Sequence, residues 1–110
     1  MLKPNIFREY DIRGVAETEL QSADVVDLGR ALGTTLQRKS GNEISLGRDC
    51  RLSSPRLHAA LLEGLIDSGC HVTDIGVVPT PLTYFSAVHL DADGAVMITG
   101  SHNPSEFNGF

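Results

Sequence analysis

Apolar positions along this chain recur with two different periods. Val25, Val26, Gly29, Leu32, Gly33 and Leu36 return every three or four residues, which predicts a helix over about 22–38. Ser22 reads as its N-cap, Asp24 and Asp27 as first-turn carboxylates suited to the helix dipole, and Arg38, Lys39 and Gly41 as its end. Gly29 and Gly33 share one face and predict close approach to a sheet. Leu57, Ala60, Leu61, Gly64, Leu65 and Ser68 mark a second helix over about 54–68. Ser53 or Ser54 would cap it, Pro55 suits its first turn, and Gly69 ends it. His58 falls off that stripe and reads as solvent-facing. A third helix over about 81–90 follows the Pro-punctuated stretch Val77–Leu82, with a broad apolar surface of Leu82, Phe85, Ala87, Val88 and Leu90.

Between the helices lie short apolar or alternating runs, Ile44–Gly47, His71–Gly76 and Ala95–Ile98, that read as strands. Ile6 and Phe7 read as the start of another strand, 15–21 as a polar loop, and Asp91–Gly94 as a turn. Strand and helix alternate, which predicts an α/β domain of three layers with helices on both faces of the sheet. In such sheets ligands sit just outside the carboxyl ends of the strands.

Composition narrows the function. The chain has 110 residues, is 41% apolar and 21% charged, and so has enough apolar material for one small packed domain. A net charge of −5 argues against nucleic acid or an anionic membrane as the main partner, though not against a local cationic pocket. No apolar run is long enough to span a membrane, and no apolar core of a secretory leader follows Lys3. Cys50 and Cys70 have no metal or redox spacing and are expected as reduced thiols in a cytoplasmic protein.

Three stretches carry candidate chemistry. Ala95–Ile98 breaks at Thr99-Gly100 and delivers Ser101, His102 and Asn103 onto a turn closed by Pro104. A glycine there allows close backbone approach to a ligand, and turn amides can cradle an anion. Ser-His-Asn-Pro is equally a good turn sequence with no further role. Upstream, Arg8, Glu9, Tyr10, Asp11 and Arg13 crowd before Gly14. Arginine forks match phosphate oxygens, but local ion pairing explains the cluster as well. Third, Gly47-Arg48-Asp49-Cys50-Arg51-Leu52-Ser53-Ser54 joins a strand end to a helix start, where Arg48 and Arg51 could bind an anion or pair with Asp49.

Taken together these motifs resemble one family. Thr-Gly-Ser-His-Asn-Pro with the trailing Glu-Phe-Asn-Gly-Phe resembles the active-site loop of the α-D-phosphohexomutases. Gly-Arg-Asp-x-Arg-x-Ser-Ser is similar to a second signature of that family. Phe-Arg-x-Tyr-Asp-Ile-Arg-Gly resembles the N-terminal signature of its phosphomannomutase/phosphoglucomutase branch, and Gly100 fits the bacterial members of that branch. The resemblance implies a mixed sheet of about four strands. It implies Ser101 as the serine that carries the phosphoryl group, with His102 hydrogen-bonding the phosphate or orienting the loop. Tyr10, Arg13 and Asn103 would face substrate, and Arg48 and Arg51 would brace the loop. Mg2+ would be held through the phosphate on Ser101 and mainly by a domain beyond this chain. The reaction would interconvert hexose 1- and 6-phosphates through a hexose 1,6-bisphosphate. Residues 1–110 would then be the first domain, truncated within the active-site loop and inactive alone, with the remaining domains as partners. Phosphoglucosamine mutase is the alternative within the family.

Two other classes compete. A hydrolase using Ser101 with His102 as base would need adjacent turn residues to point at each other, and no Gly-x-Ser-x-Gly elbow is present. A non-catalytic module that binds phosphosugars would bind hexose phosphate as the isolated chain.

Overall fold

The computed structural model describes residues 2–8, 11–39, 41–100 and 103–110. Its central strand is β2 (Glu43–Arg48), with β3 (His71–Val77) and β4 (Gly94–Ile98) paired in parallel on either side, and β1 (Arg13–Val15) antiparallel to β5 (Phe107–Gly109). Among the described residues four α-helices accompany them: α1 (Ala16–Glu19), α2 (Ser22–Arg38), α3 (Ser54–Asp67) and α4 (Thr80–His89). Because β2 is central, its residues alternate between two covered faces. Ile44 and Leu46 join the core formed with Val25 and Leu28 of α2 and Leu57, Leu61 and Leu65 of α3. Ser45 and Gly47 meet Ser86 and Thr83 of α4. The three-layer α/β class therefore holds.

The expected mixture of parallel and antiparallel strands is present, with five strands among the described residues. Three are parallel, and the antiparallel pair lies beside them, joined by the Thr99 N–H donating to the Gly109 carbonyl at 2.9 Å. The segment around β5 turns to β1 instead: Phe110 and Ile12 exchange both backbone hydrogen bonds, at 2.8 and 3.2 Å.

Other expectations are corrected locally. Pro4–Ile6 is a 3-10 turn, in keeping with a proline that fixes φ at its start, and the strand begins at Arg13. Part of the expected loop 15–21 is α1. Gln21, not Ser22, is the N-cap residue of α2, and the Ser22 hydroxyl accepts from Arg56 instead. Ser53 holds the N-cap position of α3 without a side-chain cap, its hydroxyl accepting from Asn108. Gly29 approaches α3 rather than the sheet: a Cβ there would lie 2.6 Å from the Leu61 carbonyl. His58 is buried, 9% exposed, with Nε2 3.2 Å from Asp74 of β3 but without a well-formed hydrogen bond. It lies one residue from Leu57, and α3 is covered on more than one side. No helix among the described residues is long and apolar enough to cross a membrane.

Candidate active site

The carboxyl ends of β2 and β4 lie side by side, with the Asp49 N–H donating to the Ile98 carbonyl at 2.9 Å. This brings two connections together: residues 49–53, leading into α3, and the segment after β4. Asp49 is the hinge between them. Its Oδ1 accepts from the Ser54 hydroxyl at 2.6 Å and the Arg51 N–H at 3.1 Å, and its Oδ2 accepts from the Gly100 N–H at 3.1 Å. Burial pushes the Asp49 carboxyl up, but hydrogen bonds from Ser54, Arg51, Gly100 and Thr99 outweigh it and hold it below its ordinary value.

Arg51 reaches the far flank of the same loop. Its guanidinium donates to the carbonyls of Asn103 at 2.8 Å, Pro104 at 2.7 Å and Phe107 at 3.0 Å. Gly100 lies flat against that guanidinium, since a Cβ at position 100 would sit 2.1 Å from the Arg51 Cζ. The Asn103 N–H donates to the Gly100 carbonyl at 2.9 Å, so the residues flanking positions 101 and 102 are bonded to each other. Further along, fully buried Asn108 donates from Nδ2 to the hydroxyls of Ser53 and Ser54, at 2.8 and 3.0 Å.

On the other side, Arg13 of β1 lies opposite Gly109 and pairs with Asp11. Two buried donors, Arg13 Nε and Asn103 Nδ2, have no hydrogen-bond partner among the described residues. Arg13, Asp11, Arg8, Thr99 and Phe110 line a cleft of about 670 Å³ that also reaches Tyr84 on α4.

Of the residues singled out from sequence, Arg13, Arg51 and Asn103 flank this edge of the domain. Among the described residues Arg48 makes no hydrogen bond to the loop. It pairs with Asp74 at 3.4 Å, on the strand that flanks β2 opposite β4. Tyr10, Ser101 and His102 lie outside the described residues. Sequence reasoning missed Asp49 and Asn108. Both stand inside the motifs it quoted, but nothing in a motif's spacing says which amide a carboxylate will accept from. Among the described residues no group of three or more His, Cys, Asp or Glu forms a cation site, and Asp49 is engaged by its donors.

The chain is similar to a known family along almost its whole length. A family model described as phosphoglucomutase/phosphomannomutase, alpha/beta/alpha domain I, matches residues 4–110. A phosphomannomutase/phosphoglucomutase from Pseudomonas syringae pv. tomato is 49% identical over 110 residues, covering 100% of this chain and 24% of the relative. A phosphoglucomutase from Neisseria gonorrhoeae is 45% identical over 106 residues, covering 96% and 23%. A crystal structure of a phosphoglucomutase/phosphomannomutase family protein from Burkholderia thailandensis superposes with a TM-score of 0.94 at 40% identity, covering 100% of this chain and 26% of that one. The chain thus spans about a quarter of the length of the relatives it matches.

Proposed function

This chain belongs to the phosphoglucomutase/phosphomannomutase family, and from that premise we propose that it is the phosphoserine-bearing first domain of an enzyme interconverting hexose 1- and 6-phosphates. The observation that carries this reading is the clamp around Ser101. Asp49 holds the Gly100 amide before it, Arg51 holds the Asn103 carbonyl after it, and the two buried donors beside this edge have no acceptor among the described residues. Unpaired buried N–H groups are costly, and the oxygens of a phosphoryl group would satisfy them.

Phospho-Ser101 gives its phosphoryl group to the free hydroxyl of a hexose monophosphate. The Oγ–P bond breaks as the sugar O–P bond forms, the departing Ser101 Oγ takes up the proton that the sugar hydroxyl gives up, and the sugar leaves the step as a 1,6-bisphosphate. After reorientation, the opposite phosphate returns to the Ser101 oxygen. This transfer depends on positioning and charge stabilisation more than on a strong base, so a serine without a triad suffices. His102 and Asn103 hydrogen-bond the phosphate or fix the turn. Tyr10 and Arg13 face substrate. Mg2+, held by the Ser101 phosphate and by residues beyond this chain, would offset a phosphoserine charge of about −1.5 to −2. The other domains of the enzyme are the partners, and the 110-residue chain alone is inactive. A cytoplasmic location fits the unpaired cysteines, Cys50 and Cys70.

Peptide mass mapping of the intact protein, with and without hexose 1,6-bisphosphate, tests this. Phosphate on Ser101 with an occupancy that responds to the bisphosphate is the expected result. An unmodified Ser101 under both conditions, in folded protein with magnesium present, overturns it.

A further inference from the structure

We infer that Asp49 is a positioning residue for phosphoryl transfer at Ser101, acting through the Gly100 amide. The inference rests on the mutase reading above and adds a residue to it. Each oxygen of the carboxylate takes a different backbone N–H, Arg51 on Oδ1 and Gly100 on Oδ2, so one side chain ties the turn after β2 to the residue before the serine. The Asp49 carboxylate also lies 3.4 Å from the Arg51 Nε, steering the guanidinium that holds the carbonyls of 103, 104 and 107. Through the Ser54 hydroxyl it is linked to Asn108, whose Oδ1 accepts from the Gly109 N–H at 2.9 Å. Both the entrance to the loop and the strand after it are therefore referenced to the start of α3.

Only a carboxylate fits this position. An amide has one acceptor oxygen, and two donors, Ser54 and Arg51, hold it at the Oδ1 position, so Asp49→Asn leaves its NH2 facing the Gly100 N–H. The side chain's shape is kept while the grip on one end of the loop is lost. Phosphoryl transfer is governed by placement of the reacting oxygen, so the loss falls on turnover rather than on substrate binding.

The test compares the intact wild-type protein with Asp49→Asn and with Ser86→Ala, which removes a buried hydroxyl from the opposite face of the sheet. Asp49→Asn is expected to lower kcat for hexose 1-phosphate about 10–100-fold. Its KM is expected to stay within about twofold, the pattern of an interaction made in the transition state. Ser86→Ala loses stability and keeps kcat. An unchanged kcat in Asp49→Asn, or an equal fall in Ser86→Ala, overturns the inference. Hydrogen exchange at the Gly100 amide gives a readout independent of the reaction. It should speed up about tenfold or more in Asp49→Asn as local opening becomes easier, and unchanged exchange overturns the inference whatever kcat does. A wild-type protein with no hexose phosphate turnover sinks the mutase reading instead, and the clamp is then decided by Gly100 exchange alone.

Discussion

On the α2/α3 side of the sheet, Ile44 and Leu46 of β2 meet leucines, and two helices press together through Gly29 and Gly64. On the α4 side, Ser45 and Gly47 of the same strand meet hydroxyls. Thr83 and Ser86 are 1% and 7% exposed, while Tyr84 and Val88 on the outer side of α4 are 70% and 82% exposed. One face is held by apolar burial and close helix contact, the other by short polar side chains that let a helix lie near the strand. Apolar burial is worth more than a neutral hydrogen bond, roughly 25 cal/mol per Å² against about 1 kcal/mol net per bond. The two faces should therefore respond to substitution on different scales.

The sharpest way to break that contrast is Gly64→Val. A Cβ at position 64 would sit 2.1 Å from the Val26 carbonyl and 2.8 Å from the Arg30 nitrogen, and both atoms are α2 backbone that cannot rotate away. The helices must part and uncover Leu28, Leu61 and Leu65. The expected loss exceeds about 4 kcal/mol, much of the roughly 5–15 kcal/mol that holds a domain together. Urea denaturation monitored by circular dichroism should show little folded protein, and a wild-type midpoint would contradict the helix crossing. Leu61→Ala removes a fully buried side chain from the same face without forcing the backbone. It should cost about 2–5 kcal/mol at an unchanged m-value.

The same contrast explains what could be read from sequence. Leu57, Leu61 and Leu65 form an apolar stripe, and periodicity finds such a stripe because burial and hydrophobicity coincide there. On α4 they separate. Its apolar residues read as a broad surface, but periodicity gives no sign that Thr83 and Ser86 point inward, because hydroxyls carry no apolar signal. Gly29 was legible as a close-approach residue but not its neighbour, since a glycine face announces proximity without naming a partner. At the candidate site the motifs located the right turn and the right strand ends. Which donor meets which acceptor was not legible. Arg48 and Arg51 are three apart in one motif, yet one pairs with Asp74 on β3 and the other holds the loop after β4. That division depends on strand order, which puts β3 and β4 on opposite sides of β2. Asn108 likewise becomes a site-shaping residue only when β5 passes beside the start of α3.

Ser86→Ala probes the polar face. The Ser86 hydroxyl lies 2.9 Å from the fully buried Ser45 hydroxyl and donates to the Thr83 carbonyl at 2.7 Å. Its removal takes a partner from Ser45 and opens little space, so the expected loss is about 1 kcal/mol. Thermal denaturation of Ser86→Ala beside Leu61→Ala measures the contrast directly. A larger loss in Ser86→Ala would reverse the order of the two faces.

Val88→Ser should have the smallest effect, and it separates outward from inward positions on α4. Val88 is 82% exposed, so serine gives up almost no buried area, and α4 keeps Thr83 and Ser86 against the sheet. Serine and valine also have similar helix propensities. The expected change in stability lies within about ±0.5 kcal/mol, as for surface substitutions generally. Ser86 lies two positions earlier on the same helix, on the face turned to the sheet. If Val88→Ser cost as much as Ser86→Ala, α4 would have to be turned about its axis, with its apolar residues against β2 and β4 and its hydroxyls toward solvent.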